Sequence, residues 1–304
     1  MEKSRKIKQT IRSKPTMEGA GVHLHRAFGS ARDARLFDPF LLFDDFRGDN
    51  PQDYAPGFPE HPHRGIETIT YMLAGTVRHR DSLGNGGEIQ AGDVQWMTAG
   101  SGIRHEEMPK GDGQGRMYGF QLWANLPRSK KMMPPHYQEI KSTEIPMVTL
   151  EGDVRVKVIC GEVDGVQGPA ENVAINPQLL DISIPPERCF TFPTPPEHSV
   201  FAYVFEGKGI FCQKSDPFAF QREGSNYFDM QHEHWLGNRT LILYEDGDQI
   251  QVTTQGDPVR FMLASGRPLG EPIAWYGPIV MNTDAELRQA FMDLQNGTFI
   301  KDKP

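Results

Sequence analysis

The stretch from residue 61 to residue 107 constrains this chain more than any other. It opens on His61-Pro62-His63-Arg64-Gly65-Ile66-Glu67 and closes on Gly102-Ile103-Arg104-His105-Glu106-Glu107. Between them lie two strand-like runs, residues 67–73 (ETITYML) and 93–98 (DVQWMT), separated by glycine-rich turns. Side chains alternate along a strand, so His61, His63 and Glu67 are expected on one face, as are His105 and Glu107. Imidazole nitrogens and carboxylate oxygens are donors that suit a divalent first-row metal. A lone His-x-His is an ordinary strand feature. Two such units in a turn-rich β context can meet across a small barrel and complete a ligand set. Pro62 fixes φ and removes a ladder donor, which puts the histidine pair at a strand start or edge, the rim of such a barrel.

This layout resembles the cupin fold. The first cupin motif, His-x-His-x3-Glu followed by Gly, is matched by His61, His63, Glu67 and Gly75. The second motif departs from its usual Pro-x-Gly-x2-His, since Thr98-Ala99-Gly100 is followed by four residues before His105. That departure, with HPHRGIET, QWMTAGSGIRHEEMP, QLWANLP and YGPIVMNT, is similar to the pirin family, whose members carry two cupin domains. The resemblance runs from residues 38–46 (DPFLLFDDF) to the C-terminal helix. It implies an all-β bicupin with non-haem iron, Fe(II), held by His61, His63, His105 and Glu107. Glu67 is then expected behind the ligands rather than among them.

Three imidazoles and one carboxylate leave open positions on a six-coordinate ion, whereas a structural zinc site is closed by its protein ligands. Such donors also suit Mn, Co, Ni or Cu, because affinity order alone does not choose among them. Some pirins resemble quercetin 2,3-dioxygenases, which open the central ring of a flavonol with O2 and release carbon monoxide. In that enzymatic reading Glu107 is the catalytic residue that takes the substrate's hydroxyl proton. The alternative is a redox-sensing regulatory protein that binds a protein partner.

At 304 residues the chain is long enough for two domains. The basic, proline-bracketed residues 127–135 give the expected boundary, with a metal-binding domain at 1–135 and a cupin-like domain without metal at 136–304. A net charge of −8 argues against binding bare nucleic acid, whose phosphates must be neutralised. No apolar run approaches the ~18 residues of a membrane span. Cys160, Cys189 and Cys212 are too few and too scattered for a disulfide framework, and suit a cytoplasmic protein with reduced thiols.

Other histidines are weighed against this set. His23 and His25 form a second His-x-His without an acidic partner downstream, and an exposed strand face explains them. His79 either orients a ligand or faces water. His136 is expected at the surface. His198 stands alone in Pro196-Glu197-His198, and His232-Glu233-His234 lacks a later histidine, so neither is assigned a metal. Residues 283–295 read as a helix, with Thr283 and Glu286 as a capping box and Leu287, Ala290, Phe291 and Leu294 as a packing face.

Overall fold

The computed structural model describes residues 3–175, 177–212, 221–223 and 234–301. Strands dominate, and the expected C-terminal helix spans Asp284–Gln295. Thr283 accepts from the Glu286 backbone while Glu286 reaches back to the Thr283 N–H, the reciprocal cap read from the sequence. Among the described residues no helix is long and apolar enough to cross a membrane.

The chain divides into two compact units: Pro15–Glu144 with Leu269–Pro304, and Met1–Lys14 with Ile145–Pro268. The sequence-based division at 135/136 differs from this in three ways. The His136–Ile140 strand pairs with Val94–Thr98 and so completes a sheet of the first of these units. The Ile7–Arg12 strand pairs antiparallel with Thr240–Tyr244 of the other. The chain from Leu269 onward returns to the unit that holds residues 15–144. Hydrophobic alternation is a local signal and carries no information about which distant strand closes a sheet, so these exchanges of the termini were not legible.

The unit containing residues 61–107 is built on two main sheets, in addition to a two-stranded ladder of Ala274–Tyr276 and Ile279–Met281. One has seven strands and the other four, the latter in the order Phe58–His63, Ile103–Lys110, Thr76–Asp81, Gly86–Ile89. Val22, Leu24, Met72, Val77 and Met117 form its inner apolar cluster. Strands Phe40–Asp45, Ile66–Ala74 and Val94–Thr98 of the larger sheet are buried on both faces along most of their length. Apolar residues therefore fall on both of their faces rather than alternating cleanly, with buried polar residues such as Asp44, Glu67 and Gln95 among them. In the other unit a nine-stranded sheet includes Val154–Cys160, Gln178–Ile184, Ser199–Gly209 and Val259–Gly266. Val156, Ile182, Val204 and Phe261 pack in its core.

Candidate metal centre

The four-stranded sheet brings the two acid–imidazole units together. Strands Phe58–His63 and Ile103–Lys110 run antiparallel, with His105 opposite His61 and Ile103 opposite His63. The register then slips, so that Glu107 faces Phe58. The extra residue is a β-bulge in the Phe58–His63 strand, a device that re-aims side chains beside a site. Ligand atoms of His61, His63 and His105 lie within 4.8 Å of one another, and among the described residues no other group of three or more His, Cys, Asp or Glu converges in this way.

The hydrogen bonding of these rings suits a cation. The Pro59 carbonyl lies 2.9 Å from His61 Nδ1, which makes Nδ1 the protonated nitrogen and leaves Nε2 as a lone-pair donor. Both ring nitrogens of His105 are buried with no hydrogen-bond partner. An unmet buried polar group costs ~1–3 kcal/mol, a penalty that a metal would remove. Burial, followed by the neighbouring imidazoles, pushes His63 and His105 well below the usual histidine range. Both rings are thus neutral at pH ~7, the form that binds a metal.

Glu107 stands outside the tight histidine grouping but borders the same cavity as His61 and His63. Burial raises its carboxyl above the usual range, against the opposing pull of His61, His79 and a hydrogen bond from Gln121. Gln121 cannot flip freely, because its Oε1 accepts from the Trp123 indole N–H at 3.1 Å, which turns its amide nitrogen toward Glu107. Trp123 also sets its edge against His63, with ring centroids 5.1 Å apart. Replacing Gln121 by Ala is expected to weaken metal binding ~10–100-fold, as loss of an outer-shell partner does elsewhere, with the fold intact. Competition with a chromophoric chelator measures this, and unchanged affinity would remove Gln121 from the site.

His61 and His63 open into a cavity of about 690 Å³, with Phe58, Trp123, Trp275 and Tyr276 as aromatic lining and Arg26 and Asp44 as charged lining. Its size suits a drug-sized organic molecule. A family model described as Pirin matches residues 21–124, and one described as the Pirin C-terminal cupin domain matches residues 179–300.

The chain belongs to the pirin family. It is 42% identical over 296 residues to a Pirin-like protein of Caulobacter vibrioides, covering 97% of this chain and 99% of that one. It is 38% identical over 300 residues to human Pirin, covering 97% and 94%. The crystal structure of a quercetin 2,3-dioxygenase from Acinetobacter baumannii superposes with a TM-score of 0.84 at 31% identity, covering 97% of this chain and 98% of that one. The two-cupin, all-β architecture expected from the resemblance is therefore that of this pirin.

Not every residue singled out in the sequence joins the centre. Glu67 faces away from it. Its cross-strand neighbours are Thr98 and Ala124, whereas Thr70 and Gln121 pair with each other and share a cavity with Glu107. Alternation then puts Glu67 on the opposite face, where it accepts from the Thr98 hydroxyl at 2.9 Å. The expected parity failed at Gly65, whose φ of +78° turns the chain between two strands and resets the count. A Cβ there would lie 2.0 Å from the Val280 carbonyl oxygen, so the turn requires glycine.

His79 does not face water. It is buried, its ring stacks on Tyr137, and Nε2 lies 2.8 Å from a Glu139 oxygen. Across the ladder it pairs with Glu107. His23 is exposed, as the strand reading expects, whereas His25 is half-buried. His198 is buried with Nδ1 3.1 Å from Ser265 Oγ. His232 and Glu233 lie outside the described residues.

Lys131 was read as part of a basic linker, yet it is 2% exposed. Its ammonium donates to Gly65 O, Asn125 Oδ1 and Val280 O at 2.8, 2.6 and 2.8 Å. It thereby fixes the turn that follows His63. Arg26 and Asp44 were also missed, although the FDDF segment carried a signal. Two acids within a buried apolar strand must each find a partner.

Proposed function

We propose that this pirin binds one divalent metal per chain, Fe(II), through His61, His63, His105 and Glu107, and acts on flavonol-like substrates with O2 as quercetin 2,3-dioxygenases do. The observation that carries this reading is the convergence of three imidazoles, two of which, with the buried Glu107 carboxylate, border a cavity with aromatic lining. The structural relative named as a quercetin 2,3-dioxygenase supports the same substrate class. The bound ion would supply Lewis acidity toward the flavonol's 3-hydroxyl and adjacent carbonyl, together with redox chemistry toward O2.

The chain's own residues do the rest. Glu107 takes the proton of the substrate's 3-hydroxyl on a carboxylate oxygen. Burial has already raised its proton affinity, and Gln121 holds its orientation. Trp123 and Trp275, with ring centroids 6.4 Å apart, present aromatic surface to a planar substrate and exclude water from beside His63. The unit holding Ile145–Pro268 is proposed to carry no metal, and His198 there is engaged by Ser265. A cytoplasmic location accords with three free cysteines.

Metal analysis of protein purified without added metal, followed by O2 consumption with a flavonol, tests the assignment. One ion per chain is expected, together with O2 uptake above the buffer rate. His63→Ala and His105→Ala are each expected to lose the ion while keeping the wild-type circular dichroism. The core made of residues such as Ile69, Tyr71 and Trp96 stays in place when one neutral imidazole is truncated. Collapse of both variants would mean that the ion is structural. A loaded protein without turnover would transfer the assignment to the regulatory, partner-binding reading.

A further inference from the structure

We propose that Asp44, held by the Arg26 guanidinium that Glu18 also engages, is a specificity rail that accepts hydroxyl hydrogens of the bound aromatic and turns carboxylates away. This rests on the flavonol reading of the cavity and narrows it to neutral, hydroxyl-bearing planar substrates.

The rail is a built feature of the wall. Arg26 Nε and Nη2 donate to the two Asp44 oxygens at 2.8 and 2.7 Å, and Nη1 donates to Glu18 Oε1 at 2.8 Å. All three nitrogens of the guanidinium are therefore already directed at carboxylates. An incoming carboxylate meets two negative charges and one positive charge already shared between them. A hydroxyl meets the opposite situation. Each Asp44 oxygen keeps lone-pair capacity beyond the one bond it accepts from Arg26.

Position supports the assignment. Arg26 pairs with Asp44, Asp44 with Gln121, and Gln121 with Thr70 across the larger sheet. Cross-strand partners share a face, so Asp44 stands one strand from the glutamine that holds Glu107. Asp44 is 4% exposed and borders two cavities, the open one over the histidines and a narrower one lined by Val22, Leu24, Phe46 and Met117. Besides Glu107 it is the buried carboxylate of the open cavity's lining, which Glu18, Ser30 and Gln121 also share. Gly29 makes room for the clamp, since a Cβ there would lie 2.8 Å from Arg26 Cδ. Burial lifts the Asp44 carboxyl to about 6 against the pull of Arg26, so it is ionised in mildly alkaline buffer.

The experiment measures anaerobic binding to the metal-loaded full chain. Three flavonols with the same 3-hydroxy-4-keto chelating edge are compared: 3-hydroxyflavone, its 3′,4′-dihydroxy form, and its 4′-carboxylate form. In wild type the dihydroxy compound is expected to bind about tenfold tighter than the parent and the carboxylate about tenfold weaker. Asp44→Asn should compress both differences to about threefold or less. Glu18→Gln, on the exposed edge of the clamp, should relieve the rejection of the carboxylate and decides the matter if Asp44→Asn does not fold. Equal binding of all three compounds, or unchanged ratios in the folded variants, overturns the rail and leaves the flavonol reading standing. Absence of binding by any of the three overturns both. Binding in the expected order without turnover on admitting O2 keeps the rail and removes the dioxygenase activity.

Discussion

Glu107→Gln is expected to lose about 10²–10⁴-fold in flavonol turnover per bound metal, the usual contribution of a general base. The amide oxygen can still coordinate weakly, so part of the metal should remain or return on soaking. The amide cannot accept the substrate's proton at neutral pH. Glu106 is the control, because the next residue on a strand points to the opposite face. Its carboxylate pairs outward with Arg80 at 3.2 Å and takes no part in the histidine cluster. Glu106→Gln should therefore keep the wild-type rate. The measurement is flavonol depletion by wild type and both variants, normalised to bound metal. Equal rates in all three would remove Glu107 from the mechanism.

The centre was legible in the sequence to the extent that it rests on residue type and short spacing. His61 and His63 share a strand, as do His105 and Glu107, and alternation within one strand is reliable. Alternation does not survive a turn. Carrying it from His63 across Gly65 to Glu67 put that carboxylate on the wrong face. Gln121, Trp123, Arg26 and Asp44 lie on strands whose order in the sheet departs from their order in the chain. Their adjacency to the histidines depends on long-range pairing, which no local pattern encodes. Lys131 illustrates a different loss. A lysine in a proline-bracketed basic run reads as solvated, and only the converging oxygens of Gly65, Asn125 and Val280 make it an interior residue. The helix Asp284–Gln295 was read correctly in extent and cap, but its role beyond packing lay in one residue, Asp293.

That residue supports the second large effect. Arg64, immediately after His63, is 2% exposed and is held from three directions. Nη1 donates to Asp293 Oδ2 at 2.8 Å, Nη2 donates to the Phe299 carbonyl at 2.9 Å, and the guanidinium lies 4.2 Å from the Phe299 ring centroid. The Arg64 carbonyl in turn accepts from the Val280 N–H at 3.1 Å. The C-terminal segment thus braces the turn that delivers His63 to the centre. Arg64→Ala removes one partner of a buried ion pair and is expected to cost ~3–5 kcal/mol. For a unit of this size that corresponds to a fall in Tm of roughly 10 °C. Lys301, 2.9 Å from Asp293 Oδ2, retains part of the carboxylate's compensation and keeps the loss toward the lower end of that range. Asp293→Asn leaves the arginine facing a neutral amide and should lower Tm in the same direction by less. Thermal unfolding gives the stability of each variant, and metal affinity is then read well below its Tm. Weaker metal binding by the folded Arg64→Ala protein means that the brace positions His63. Wild-type affinity with a lowered Tm means that it supports the barrel alone, and an unchanged Tm would show that the buried pair contributes nothing to the fold.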